Sequence, residues 1–434
     1  MTSDGTKTRC GSTPTPAENP KAAGGSCCGG ADQSKDSWFD NMIGHCLAYA
    51  REAHANGRPV VGIMCEYTPR ELIMAAGAVP VCLCGGSADT IPAAEQHLPA
   101  NLCPLIKSTY GYSVLESNPF LEMASLVVAE TTCDGKKKMY ELLGERYPMC
   151  VLELPQTPRR EEGLEYWREA LQRFKDELEA RFSVTITDDG LREAIATMNT
   201  ERRLRRELAA LMKQDRPPLT GRQLLALKSS ISGIPQALEE LEKSLDTLSG
   251  MEGPPEHAGR VRVLMTGVPM AHGAEWVLDL LEQRGGLVVA LENCTGVKPI
   301  MEDVRHDAAD PLAAIAEKYY HLPCSVMSPN EDRFALLREL ASEYRAECIV
   351  DLVWQACITY DVESHLVKRL AEDELDLPFL RIGTDYSVAD RARVEVRIDA
   401  LFENVRQQRQ RGSVADAGTA AAVKERRDYA VRRH

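Results

Sequence analysis

The chain has 434 residues, 44% of them hydrophobic, a formal net charge of −14 and fourteen cysteines. That length permits two or three domains with a substantial core, the acidic balance argues against nucleic acid as the main partner, and no apolar stretch approaches the roughly 20 residues that span a bilayer. With no hydrophobic signal core at the beginning, a cytoplasmic location is expected, and in a reducing compartment so many thiols point to metal ligation or catalysis before disulfides.

Residues 1–35 are rich in Gly, Ser, Thr, Pro and Lys and read as a disordered tail. Cys10, Cys27 and Cys28 fall there, where nothing positions them for a main site. The first α/β unit is expected over 36–155. It opens with a helix over 36–56 that contains Cys46. RPVVGIM then reads as a strand, TPRELIMAAG as a helix and AVPVCLCG as a second strand, followed by a loop through Cys103. SLVVAETT, CDGKKKMYELLG and PMCVLELP read as strand, helix and strand. Apolar runs that alternate with helical patterns indicate a mostly parallel sheet.

Residues 156–258 change character to long charged stretches of helical period with no strand candidate. EYWREALQRFKDELEARF and LREAIATMNTERRLRRELAALMK are the first two helices, with Asp188 and Asp189 placed to cap the second. A third is expected over 220–248. A second α/β unit over 259–404 carries the strands VRVLMTG, GLVVALEN, AECIVDLVW and LPFLRIGTD, with helices AHGAEWVLDLLEQRG, NEDRFALLRELASEYR and YDVESHLVKRLAEDEL. Residues 405–434 form a basic tail, read as a solvated extension or a surface for a partner.

Six cysteines stand out from this order. Cys65, Cys133, Cys294 and Cys357 fall just beyond an apolar run that reads as a buried strand, and Cys103 and Cys324 lie in NLCPLIKS and LPCSVMSPNE. Sites in open α/β sheets form outside the carboxyl ends of strands, so thiols there can hold a metal centre from separate pieces of chain. Iron in a sulfide cage prefers soft, anionic thiolates. A zinc ribbon needs close CxxC knuckles, and the sequence has none. Its short pair, Cys82-Leu-Cys84, alternates with apolar neighbours and reads as core packing, as do Cys150 and Cys348.

The phrases MCEYTPRELIMAAGAVPV, NLCPLIKSTYG, ETTCDGKKKMYELL, ENCTGVKP, LPCSVMSPNE and QACITYDVESHLVKR resemble the 2-hydroxyacyl-CoA dehydratase superfamily, which also contains benzoyl-CoA reductase subunits. Within it they look most like the double-cubane cluster proteins, and the resemblance covers roughly residues 37–404. It implies two Rossmann-like parallel-sheet domains joined by a helical region, with the cluster in the cleft between them, in a homodimer. A dehydratase-type subunit holds one [4Fe-4S] cluster on three cysteines, whereas the double-cubane branch holds an [8Fe-9S] cluster on six. The resemblance places Cys103, Cys133 and Cys357 as the dehydratase-type triad, and Cys65, Cys294 and Cys324 as holders of the second cubane. It also implies an ATP-dependent, cluster-containing reductase as partner. The sequence fits that division, since it has neither a G-x-x-x-x-G-K-[ST] motif nor a G-x-G-x-x-G after a strand.

Positioned acids and bases deliver the protons that accompany electrons. Glu66, Glu130, Asp134, Asp361 and Glu363 lie beside the cysteines, although Asp134 also suits a helix cap, and Asp361 and Glu363 suit a helix dipole. His272, in PMAHGAEW, is the best-placed histidine; Glu66 and His272 are the catalytic candidates. Lys136, Lys137 and Lys138 read either as a solvated helix face or as charge that offsets a cluster. The function expected first is a double-cubane reductase component that passes low-potential electrons to a small molecule. The alternatives are a 2-hydroxyacyl-CoA dehydratase subunit with one [4Fe-4S] cluster, or a non-catalytic electron store; a structural zinc protein lacks its knuckles.

Overall fold

Both halves of the chain build the same sheet. In the first, β1 (Val60–Ile63), β2 (Val79–Cys82), β3 (Ala124–Glu130) and β4 (Met149–Leu152) are all parallel, in the order β2-β1-β3-β4. In the second, β5 (Val261–Gly267), β6 (Gly286–Glu292), β7 (Cys348–Trp354) and β8 (Phe379–Thr384) repeat it as β6-β5-β7-β8. The computed structural model describes residues 37–431, with side chains to 411. The tail over 1–35, with Cys10, Cys27 and Cys28, lies outside the described residues. Runs such as VVGI and GLVVALE are buried at every position, as strands covered by helices on both faces must be. The expected α/β class with two Rossmann-like sheets is present. Each strand order reverses between its first and third strands, which opens a crevice at their carboxyl ends.

Between the sheets run the helices Glu161–Phe182, Asp188–Ala210, Gly221–Ala226 and Pro235–Ser249. Trp167, Leu171, Phe174 and Leu178 form the buried stripe of the first, spaced as one helix face requires. Thr187 caps the second, its side chain accepting from the Gly190 N–H, so Asp188 and Asp189 are first-turn acids and not the cap. The helix expected over 220–248 is broken. Gly233 takes φ of +75°, which favours glycine, and Pro235 restarts the helix at its first turn. In the gap the chain lies along the edge of β2: Cys82 N–H donates to Ser230 O at 2.9 Å, and Ile231 bridges Val81 antiparallel. A piece of the helical region is thereby carried to the carboxyl end of the first sheet.

Two further helices, Pro104–Val114 and Pro311–Tyr320, occupy stretches read as loop or left unassigned. In Pro104–Val114 nearly every residue is buried, so no polar stripe marks a helical period. One hydrophobic core passes through both halves, joining Val60, Val81 and Val127 to Val263, Val350 and Leu352. The expected basic tail continues a helix that spans Arg391–Val431. Its Arg409 is docked, paired with Glu347 and donating to the carbonyls of Gly259 and Arg260 at 2.9 Å each. Among the described residues no helix is long and apolar enough to cross a membrane.

Candidate metal centre

Three of the six cysteines are helix N-caps. Cys103 precedes Pro104–Val114, Cys133 precedes Asp134–Gly144 and Cys357 precedes Ile358–Arg369. The first turn of a helix has N–H groups without intrahelical partners, and they favour a negative charge placed before them. Each of the three cysteines stands directly before such a first turn, with no cap hydrogen bond from its side chain. The thiols of Cys103 and Cys357 act on each other: Cys357 holds the Cys103 thiol below its ordinary range, and Cys103 together with burial pushes Cys357 well above it. Burial pushes Cys133 up, and the charge of Cys103 adds to this. These three thiols form one group, two from the first half and one from the second.

Cys65, Cys294 and Cys324 form another. Cys65 follows β1, Cys294 follows β6, and Cys324 is buried in the loop after the helix Pro311–Tyr320. Burial pushes the Cys65 thiol well up; Lys136 opposes this, while Glu130, Cys294 and Cys324 reinforce it. Burial also pushes Cys294 up to about 11 against the pull of Lys298, with Cys324 adding. Cross-links between halves surround this group. Tyr67 O–H donates to Leu322 O at 2.7 Å, and Lys228 Nζ reaches Glu66 Oε1 and Cys294 O at 3.2 Å each. The groups adjoin: Ser325 Oγ donates to Thr359 Oγ1 at 3.0 Å, which joins the residue after Cys324 to the first turn beyond Cys357.

Among the described residues, no three His, Cys, Asp or Glu side chains converge tightly enough to hold a single metal ion. A cubane's ligands stand further apart than those of one ion, because the iron–sulfide cage fills the space between them. Two groups of three thiols, one of them set before the first turns of helices, are a donor set that fits anionic iron–sulfur cages.

A cavity of about 650 Å³ opens at the carboxyl end of the first sheet. Cys65 and Cys294 line it, together with Cys82, Cys84, Lys136 and Lys228. Cys82 and Cys84 are therefore not plain core packing. β2 ends at Cys82 and leaves both thiols on the cavity wall, whereas Cys348 is buried within β7 and Cys150 is half-buried within β4. Lys136 separates from its neighbours: its amine donates to Met64 O at 2.7 Å inside the cavity, while Lys137 and Lys138 pair with surface acids. Burial would pull the Lys136 ammonium down, but Tyr140 and the thiols of Cys65, Cys84 and Cys133 outweigh it and hold it well up.

The acids divide in the same way. Glu66 pairs with Arg70 at 2.8 Å and Lys228 at 3.2 Å. Burial pushes its carboxyl up, but these cations outweigh that and hold it at about 2. Glu130, at the end of β3, is completely buried and accepts from Thr68. Burial pushes it up to about 7, against the pull of Thr68, Lys136 and Arg70. Asp134 is the first helical residue, not the cap, and its side chain is 96% exposed. Asp361 pairs with Arg381 at the surface, and Glu363 is buried against Arg333 and Asn330. His272 lines the cavity at its rim with its side chain 65% exposed, 3.7 Å from Glu275. Lys228, Arg70 and the thiols of Cys82 and Cys84 were missed from sequence. Lys228 lies in the broken third helix, where no periodicity marks it.

Two parallel sheets of one topology, with six thiols gathered from both, define an α/β protein built around a thiol-lined crevice. The chain matches the family described as 2-hydroxyglutaryl-CoA dehydratase, D-component, over residues 65–405, and it belongs to that family. It is 39% identical over 352 residues to "Putative dehydratase subunit YjiM" of Escherichia coli (strain K12), covering 80% of this chain and 91% of that one. It is 24% identical over 357 residues to the (R)-phenyllactyl-CoA dehydratase beta subunit of Clostridium sporogenes, covering 80% and 92%. To the (R)-2-hydroxyglutaryl-CoA dehydratase subunit beta of Acidaminococcus fermentans it is 22% identical over 369 residues, covering 81% and 93%. The superfamily expected from the phrases around the six cysteines is the one found.

Proposed function

We propose that the chain is an iron–sulfur subunit of the 2-hydroxyacyl-CoA dehydratase type, acting with an ATP-dependent reductase that supplies electrons. The observation that carries this is the group of Cys103, Cys133 and Cys357, three helix N-caps drawn from both halves, each placed before a helix's first turn. The names of the three relatives given above, each a dehydratase subunit, support dehydration of a hydroxyacyl thioester. A cluster bound there supplies single-electron chemistry and a Lewis-acidic iron. The chain's own groups do the rest. Lys136 and Lys228 bring positive charge to the cavity, and Glu66, held ionised, is their counter-charge. Glu130, near 7, is matched to exchange a proton at neutral pH, which Glu66 is not. His272 stands at the rim, where a substrate enters. The division into α/β domains at 155 and 258 belongs to this proposal.

One observation favours a second reading, a homodimeric double-cubane reductase component acting on a small molecule. A second thiol group, Cys65, Cys294 and Cys324, adjoins the first and exceeds what one cubane needs. Iron and acid-labile sulfide counted on anaerobically purified protein separate the two. About four iron per chain, with loss of water from a 2-hydroxyacyl thioester when the reductase and ATP are added, supports the first. About eight iron without dehydration supports the second. ATP turnover by the partner with no product formed points to an electron store. Zinc as the main metal, with no iron after anaerobic reconstitution, overturns every one of them.

A further inference from the structure

Side chains two residues apart on an extended chain share a face. At the end of β2 that face is the cavity wall, and it carries Cys82 and Cys84. The two thiols therefore share that wall, two residues apart. Cys84 Sγ also lies 3.5 Å from Met64 O, the carbonyl that accepts the Lys136 amine at 2.7 Å. Lys228 lines the cavity as well. The six-thiol set is complete without this pair, and nothing in the proposed function uses it. A buried structural pair would be sealed from the cavity; these thiols open onto it, in reach of each other and beside two ammonium groups that favour a thiolate.

We propose that Cys82 and Cys84 are a redox-active dithiol that reduces a small disulfide entering the cavity. Cys82 loses its proton and its thiolate attacks one sulfur of R–S–S–R. That S–S bond breaks, a mixed disulfide forms on Cys82, and the departing RS⁻ takes up a proton. Cys84 then gives up its proton and attacks the Cys82 sulfur, releasing the second RSH and closing the Cys82–Cys84 bond. One small disulfide and two protein thiols become two small thiols and one protein disulfide. An extended i to i+2 step spans up to about 7 Å, at the upper edge of disulfide geometry, so the bond is one that opens readily. Two electrons and two protons from the ATP-dependent reductase reopen it. Only this return rests on the proposed function; the exchange itself does not.

The test uses the full chain, anaerobic and cluster-loaded, with oxidised glutathione as the probe, followed by alkylation and mass spectrometry of the peptide that contains residues 82–84. The expected result is release of about two glutathione thiols per chain, with Cys82 and Cys84 protected from alkylation as an intramolecular disulfide. Cys84→Ser should trap glutathione on Cys82 and release about half as much thiol, Cys82→Ser should release none by this route, and Cys150→Ser should behave as wild type. Iron content should match wild type in all three variants, which also reports that they have folded. Full alkylation of both thiols after exposure overturns the proposal, as does undiminished thiol release from the Cys82→Ser variant. Loss of iron in the Cys82→Ser or Cys84→Ser variant would reassign the pair as cluster ligands. Wild type that takes up no iron on anaerobic reconstitution, yet still performs the exchange, would sink the proposed function and leave the dithiol standing.

Discussion

Glu66, which lines the cavity, and Glu130, buried at the end of β3, are carboxylates shifted in opposite directions. Glu66 sits between Arg70 and Lys228, and attraction outweighs burial. Glu130 has Thr68 as its hydrogen-bond donor and is completely buried, so burial wins and pushes it up to about 7. An unfolded glutamate titrates near 4.3. Between about pH 4.3 and 7 the folded chain keeps a proton that the unfolded chain releases, so this residue makes stability fall as pH rises through that window. Glu130→Gln removes the effect. Relative to wild type, the metal-free variant should gain stability between pH 5 and pH 8 by up to about 3 kcal/mol, at about 1.4 kcal/mol for each unit. Urea unfolding at both values measures it, and a difference that stays flat with pH would refute the assignment. The sequence marked both acids as neighbours of cysteines but could not rank them, because rank depends on Arg70 and on Lys228, which lies more than 160 residues along the chain from Glu66.

At the scale of elements, the helix starts carry most of the site. Strand-end cysteines were legible because short apolar runs announce buried parallel strands. That Cys133 and Cys357 are caps was less so, since Asp134 is the better capping residue by type. The cap position is fixed by where β3 releases the chain, which sequence does not display. A cap and a metal ligand are separable by substitution. Serine is a strong N-cap residue but a poor ligand for iron. Cys133→Ser should therefore leave the metal-free chain as stable as wild type to within about 1 kcal/mol, while iron content falls. Far-ultraviolet circular dichroism of the metal-free chain and an iron count are read together; collapse of the helix signal in the variant would mean that the cysteine's role is structural. A second element-level device is the buried pair of Arg202 and Glu71, at 2.6 Å with Tyr319 O–H on the same carboxylate at 2.8 Å. It locks the helices Arg70–Ala75, Asp188–Ala210 and Pro311–Tyr320 together. Arg202→Met strands Glu71 as a buried charge and should cost about 3–5 kcal/mol in urea unfolding, with part of the loss recovered when Glu71→Gln is added. A cost below about 1 kcal/mol would show that water reaches the pair.

For the whole molecule, the site lies where the three regions of the chain meet. Cys103 and Cys133 come from the first half and join Cys357 from the second; Cys65 joins Cys294 and Cys324 in the same way. Lys228 of the helical region spans the two halves by holding Glu66 and the Cys294 carbonyl. The repeated sheet was visible in sequence as two series of apolar runs. Its consequence, that each thiol group draws on both repeats, was legible only through the family resemblance, because composition and periodicity carry no record of which strand ends meet. Metal bound by distant segments turns its binding energy into stability of their docking. Removal of iron by a chelator under anaerobic conditions should therefore lower the thermal midpoint of the intact chain. Single substitutions then report how many cages are present. If both groups hold iron, Cys357→Ser and Cys294→Ser should each remove about half of it, and the two together nearly all. If the first group alone holds a cubane, Cys294→Ser should leave the iron count at the wild-type value while Cys357→Ser abolishes it. An unchanged midpoint after complete iron removal would mean that the shared core, running from Val60 to Leu352, holds the halves together unaided, and that the metal is a passenger in a crevice already formed.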